Sequence, residues 1–165
     1  MSDNDAVTGS PLLVLLHAFP VNRELWLPVA DLLAARGVRC VVPDLPGFGE
    51  SPVSTLPPDV AVLADGVLAT MDDLGIDQFP VAGLSMGGYV LMALLRRAPE
   101  RISAIALVDT KMAADLPAAG DKRLAVAQRA EAEASTEFLV EAVIPQLLGP
   151  VTLAQRPQVV AQVSD

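Results

Sequence analysis

The chain has 165 residues, a formal net charge of −9 and 52% hydrophobic residues. This length allows one domain with a sizeable core, and the apolar composition argues against disorder. An acidic surface repels phosphate groups, so we expect neither nucleic acid nor an anionic membrane as a partner. The single cysteine, Cys40, excludes an internal disulfide and a zinc cluster built on cysteines.

The first apolar run covers residues 11–16 and is too short to span a membrane. No lysine or arginine precedes it, whereas a signal peptide begins with basic residues. The sequence therefore predicts a cytoplasmic protein.

Short apolar runs and helical patterns alternate along the first two thirds of the chain. Nearly continuous apolar runs predict strands at 12–16, 38–42, 79–83 and 102–108. Between them, apolar residues at helical spacing predict helices at 23–36 and 58–74, and a third from Ser85 to just before Pro99. This alternation is typical of a mainly parallel sheet with helices on both faces, which is a three-layer α/β sandwich.

The last third of the chain differs, because it is rich in alanine and contains no strand-like run. Helices are predicted at 121–134, 136–147 and 153–163, interrupted by Gly149, Pro150 and Pro157. We therefore expect an α/β core over 1–110 and a helical cap or lid over 111–165.

The strongest local signal is Gly83-Leu84-Ser85-Met86-Gly87, followed by Gly88. It lies between the third predicted strand and the third predicted helix, where a nucleophilic serine sits on a strained turn and needs small neighbours. The first N–H groups of that helix favour negative charge, and the N–H of Met86 is one candidate donor. Ordinary glycine-rich turns produce the same pattern, but the position between strand and helix favours the catalytic interpretation.

Two further motifs follow the first and second predicted strands. They read His17-Ala18-Phe19-Pro20 with Trp26 downstream, and Pro43-Asp44-Leu45-Pro46-Gly47-Phe48-Gly49-Glu50-Ser51. Together with the serine motif, they resemble the α/β-hydrolase superfamily, in the branch of esterases, lactonases, cofactor-free haloperoxidases and C–C hydrolases. The resemblance covers residues 12 to about 110 and implies an incomplete α/β-hydrolase fold, because that family's sheet has more strands than the four found here.

The resemblance also implies roles for individual residues. Ser85 is the expected nucleophile, and the backbone N–H groups of Phe19 and Met86 are the expected oxyanion hole. The remaining positions that match the motifs are expected to be structural: His17, Asp44, Gly83, Gly87 and Gly88.

The sequence departs from the family pattern in two places. Ala18 replaces the usual glycine beside His17, and no histidine follows Ser85, although the family places its acid and its histidine after the serine. We therefore expect the chain to be the N-terminal part of a longer hydrolase and to be inactive alone. Asp109 is a candidate acid or, alternatively, a capping residue with Thr110; His17 as the base is the less favoured alternative.

The leading functional hypothesis is a serine hydrolase that cleaves a small-molecule ester or lactone through an acyl-enzyme, without a metal or organic cofactor. One alternative uses the same site for C–C hydrolysis or perhydrolysis, and another is a non-catalytic binding protein of the same fold. We also expect the strand at 102–108 to be an uncovered sheet edge through which the chain self-associates.

Overall fold

The computed structural model describes residues 11–164, which form two compact units. One unit ends at Met112 and the other begins at Ala113. The first unit contains a parallel sheet with the strand order β2-β1-β3-β4. Its strands are β1 (Leu12–Leu16), β2 (Arg39–Val41), β3 (Phe79–Leu84) and β4 (Ile102–Val108). The predicted α/β class with four parallel strands is confirmed.

The strand order determines how the helices are distributed over the sheet. The helices of this unit are α1 (Leu27–Ala34), α2 (Val60–Asp73) and α3 (Met86–Arg97). From β1 to β2 the chain steps towards one edge of the sheet, and from β2 to β3 and then to β4 it steps towards the other edge. Because such crossovers are right-handed, α1 lies on one face of the sheet, and α2 and α3 lie on the other.

The helix predicted at 23–36 is wrong at its beginning. A short 3₁₀ turn covers Arg23–Leu25, and Asn22 caps this turn by accepting a hydrogen bond from the Glu24 N–H at 2.9 Å. The α-helix itself begins at Leu27, because Pro28 lacks an N–H and is tolerated only in the first turn of a helix.

The helix predicted to start at 58 begins instead at Val60. The side chain of Asp59 caps it, accepting a hydrogen bond from the Ala61 N–H at 2.7 Å. The helix ends just before Gly75, whose φ of +65° is easily adopted by glycine.

The hydrophobic core lies between one face of the sheet and the two helices that cover it, α2 and α3. Alternate residues of β1 and β3 point to this face, as the two-residue period of a strand requires. The buried residues of this core are Val14, Leu16, Leu45, Ala64, Val67, Met71, Phe79, Val81, Val90, Leu91, Ala93 and Leu94. Their burial fixes the positions of the carboxyl ends of β1 and β3, where the sequence motifs lie.

The outer strand of the sheet, β4, is exposed along almost its whole length. Ile102 is half-buried, and every residue from Ser103 to Val108 is exposed. β4 pairs with β3 on one side and forms the edge of the sheet on the other side, within the described part of the chain.

The second unit is helical in its described residues. Its helices are α4 (Pro117–Glu133), α5 (Glu137–Leu147), α6 (Pro150–Gln155) and α7 (Pro157–Ser164). The single helix predicted at 153–163 is wrong, because the chain breaks at Arg156, just before Pro157. None of the helices in residues 11–164 combines the length and the hydropathy needed to cross a membrane.

Candidate active site

Ser85 occupies a strained turn between the last residue of β3 and the first residue of α3. Its φ of +50° and ψ of −108° are rarely adopted by residues with a Cβ and cost about 1–3 kcal/mol. The Ser85 N–H donates to the carbonyl of Val108 at 3.0 Å. The Ser85 carbonyl accepts from the Gly88 N–H at 3.0 Å and from the Thr110 hydroxyl at 2.8 Å. The end of β4 and the first turn of α3 therefore hold the turn from both sides.

Three glycines allow the close approaches that this turn requires. A Cβ on Gly83 would lie 2.6 Å from the nitrogen of Gly88, and a Cβ on Gly87 would lie 2.9 Å from the carbonyl oxygen of His17. A Cβ on Gly88 would lie 2.6 Å from the side chain of Thr110. Any larger residue would push α3 away from β3, from the end of β1 or from the segment after β4.

The two candidate oxyanion donors lie on neighbouring segments at the carboxyl edge of the sheet. Met86 is the first residue of α3, and an N–H at this position has no acceptor within its own helix. Phe19 follows β1, whose end lies against the first turn of α3 because Gly87 packs on the backbone of Leu16 and His17. The ring of Phe19 is 45% exposed and packs edge-to-face on Phe48, with 6.2 Å between ring centroids.

His17 is completely buried, and backbone groups occupy both of its ring nitrogens. Nε2 accepts a hydrogen bond from the Leu45 N–H at 3.1 Å, and Nδ1 donates to the carbonyl of Ala18 at 2.9 Å. Burial lowers the pKa of His17 below its ordinary value of 6.5, against the smaller raising effects of the Ala18 carbonyl and the Asp44 carboxylate. Because Nε2 accepts a hydrogen bond, this arrangement requires the neutral ring, and neither nitrogen is left to accept a proton from Ser85.

Asp44 closes the loop that follows β2. Its buried carboxylate accepts hydrogen bonds from the Arg23 N–H at 2.8 Å and from the Glu50 N–H at 3.0 Å. Gly49 has a φ of +51°, and a Cβ there would lie 2.5 Å from the carboxyl carbon of Asp44. The 17–23 segment, which carries Phe19, is thus bonded to this loop at both ends, by the His17–Leu45 bond and by the Arg23–Asp44 bond.

Asp109 lies directly after β4, at the same edge of the sheet as Ser85. It is exposed and has a φ of +40°. Its two neighbours in sequence, Val108 and Thr110, both form hydrogen bonds with the backbone of Ser85. The structure therefore brings the segments of Ser85, Met86, Phe19, His17 and Asp109 together at one edge.

Sequence reasoning missed an apolar groove beside the serine turn, which we name the Met86 groove. It has a volume of about 410 Å³ and lies between the loop after β2, the beginning of α2 and Met86. Its lining residues are Pro46, Phe48, Val53, Ser54, Leu56, Pro58, Asp59, Val60, Val62, Leu63 and Met86. The available signal was the pair of apolar residues, Val53 and Leu56, in a proline-rich loop without periodicity.

No group of three or more His, Cys, Asp or Glu side chains is arranged to bind a metal ion within residues 11–164. The polar groups at the carboxyl edge instead bond to backbone: His17 to Leu45 and Ala18, and Asp44 to Arg23 and Glu50.

A parallel sheet with a strained, glycine-flanked serine between a strand and a helix defines the α/β-hydrolase class. The family model described as the alpha/beta hydrolase fold matches residues 11–150, and the chain belongs to this family. The resemblance inferred from the three sequence motifs is confirmed.

Individual relatives are hydrolases and an acyltransferase component. The chain is 39% identical over 100 residues to the dihydrolipoyllysine-residue acetyltransferase component of the acetoin cleaving system of Pseudomonas putida, covering 61% of this chain and 26% of that protein. It superimposes on a thermophilic esterase of Thermogutta terrifontis with a TM-score of 0.83 and 33% identity, covering 93% of this chain and 56% of the esterase.

An enol-lactonase of Burkholderia xenovorans LB400 gives the same TM-score of 0.83 at 28% identity, covering 95% of this chain and 58% of the lactonase. The chain thus spans about a quarter of the acetyltransferase component and just over half of the two solved hydrolases.

Proposed function

We propose that this chain supplies the nucleophile and the oxyanion hole of a serine hydrolase that cleaves a carboxylic ester or lactone. The observation that carries the proposal is the strained turn at Ser85, held by Val108, Gly88 and Thr110 and flanked by glycines that tolerate no Cβ. Similarity to an esterase and to an enol-lactonase supports the substrate class.

In the proposed reaction, the hydroxyl oxygen of Ser85 attacks the carbonyl carbon of the substrate. The N–H groups of Phe19 and Met86 donate hydrogen bonds to the oxyanion that forms, and the N-terminal end of α3 stabilises its charge. The tetrahedral intermediate collapses to an acyl-enzyme as the alcohol leaves with a proton, and water then releases the acid.

The proposal needs a general base, because a serine hydroxyl is a weak nucleophile at neutral pH. His17 is the only histidine of the 165 residues, and both of its nitrogens are bonded to backbone. The proposed base is a histidine outside these residues, and we expect the 165-residue chain alone not to turn over esters. Asp109 is the proposed acid that orients this histidine, on the strength of its position beside the serine turn.

The test is labelling with a fluorophosphonate, which reacts with activated serines. In the protein isolated from its native source at its native length, we expect the label on Ser85, located by peptide mass spectrometry. Ser85→Ala abolishes labelling, whereas Ser51→Ala, a matched change in the loop after β2, leaves it intact. Unchanged labelling of the Ser85→Ala protein would rule the nucleophile out.

The second candidate is a non-catalytic binding protein with this fold. One observation favours it: both ring nitrogens of the single histidine, His17, are hydrogen-bonded to backbone groups. The intact mass of the protein purified from its native source discriminates between the two candidates. A mass equal to that of the 165 residues, together with no labelling of Ser85, supports the binding protein.

A further inference from the structure

We propose that the Met86 groove binds the uncharged, apolar chain of the ester substrate, so that the preferred substrates are neutral esters with a medium-length alkyl or aryl group. This inference rests on the proposed function, because it places the reacting carbonyl at Ser85. It adds the chemical class of the group attached to that carbonyl.

The lining of the Met86 groove is apolar in nature. All of its lining residues except Ser54 and Asp59 are hydrophobic side chains or prolines. Val53 and Leu56 are 81% and 58% exposed, and both belong to the loop that precedes α2. An alkyl or aryl group in the groove would remove this surface from water.

The two polar lining residues already accept hydrogen bonds from backbone N–H groups of the chain. The Ser54 hydroxyl accepts a hydrogen bond from the Leu56 N–H at 3.1 Å, and the Asp59 carboxylate accepts one from the Ala61 N–H at 2.7 Å. Among the described residues, no lysine, arginine or histidine lines the groove. The lining thus carries one negative charge and no positive charge, so a substrate chain that ends in a carboxylate would be repelled.

The groove and the candidate oxyanion hole share one residue, Met86. The N–H of Met86 is a proposed oxyanion donor, and the same residue lines the groove. Because Met86 follows Ser85 directly, a chain attached to a carbonyl at Ser85 starts one residue away from the lining of the groove. The volume of about 410 Å³ lies at the lower end of the range for small-molecule pockets, which favours a medium-length chain over a long one.

The experiment measures binding to the 165-residue chain carrying Ser85→Ala, so that no covalent adduct forms between a ketone probe and the Ser85 hydroxyl. The probes are methyl ketones from 2-butanone to 2-nonanone, which are neutral analogues of esters that cannot be hydrolysed, and 8-oxononanoate, which adds a terminal carboxylate. Dissociation constants come from NMR chemical shifts of the methyl groups of Met86 and Val53. We expect affinity to rise about fourfold for each added methylene until the groove is full.

The anionic probe is expected to bind at least tenfold more weakly than 2-nonanone. Asp59→Asn, which keeps a good helix cap, should reduce this difference. Val53→Asp should weaken the binding of 2-nonanone at least tenfold, whereas Leu32→Asp, at a 60% exposed aliphatic side chain on α1, should have no effect. Affinity independent of chain length, or equal affinity for the neutral and anionic probes, would overturn the inference. Failure of the phosphonate labelling would overturn the proposed reaction and would leave ketone binding unchanged.

Discussion

Ser85 has backbone angles that a glycine adopts more easily than any residue with a Cβ. We expect Ser85→Gly to be about 1 kcal/mol more stable than Ser85→Ala, because relief of strain exceeds the greater freedom of glycine in the unfolded chain. Ser85→Ala is the matched control, since it removes the hydroxyl and keeps the Cβ. Urea unfolding followed by the fluorescence of Trp26, the single tryptophan, measures the difference. Equal stabilities would mean that the turn is not strained.

The burial of His17 should make the stability of the chain depend on pH. Burial lowers its pKa in the folded chain below 6.5, so the unfolded chain takes up a proton at a higher pH than the folded chain does. The contribution of the neutral His17 ring to the free energy of unfolding is fully present above about pH 6.5. It is lost as the pH falls below that value towards the lowered pKa of the folded chain. NMR titration of the single imidazole should give a midpoint below 6.5 in the folded chain and near 6.5 in concentrated urea. A folded midpoint at or above 6.5 would contradict the buried, neutral ring.

The serine turn is built by two elements, β3 and α3, which approach each other closely. A methyl group on Gly87 would collide with the backbone of Leu16 and His17, neither of which can move without displacing β1. We therefore expect Gly87→Ala to lower the free energy of unfolding by about 3 kcal/mol. The control is Gly120→Ala in α4, where no atom beyond the adjacent residues and the helix's own backbone lies within 4 Å of the new methyl group, and helix propensity adds up to about 1 kcal/mol. Equal effects at the two sites would contradict the packing argument.

Elements whose causes are local could be predicted from the sequence. The apolar runs gave all four strands, and the glycine spacing placed the turn at Ser85 between β3 and α3. The sequence patterns were less reliable at helix boundaries, because Pro28 delays α1 and Pro157 separates α6 from α7.

The bonds that organise the site join residues far apart in the sequence, so no local pattern reports them. His17 binds Leu45 across 28 positions, Arg23 binds Asp44 across 21, and Thr110 binds Ser85 across 25. The Met86 groove could not be predicted for the same reason, because its lining residues come from a loop, a helix and the serine turn. The catalytic roles of Ser85, Phe19, Met86 and Asp109 stay predictions.

At the scale of the whole molecule, the distinctive feature is the exposed edge formed by β4. Within residues 11–164 no strand pairs with the outer side of β4, and apolar side chains are exposed on both of its faces, including Ile105 at 48%, Leu107 at 39% and Val108 at 36%. β4 also lacks the charged residues and prolines that commonly protect edge strands in natural proteins. We therefore propose that the 165-residue chain self-associates through this edge.

Size-exclusion chromatography with light scattering tests the self-association of the 165-residue chain. We expect a dimer or larger species at micromolar concentration, and we expect Ile105→Lys to shift the population towards monomer, because a charge on an edge strand opposes pairing. Val53→Lys, at an exposed aliphatic side chain outside β4, is the matched control and should leave the association unchanged. A single monomer peak that binds no hydrophobic dye would show that this edge does not drive association.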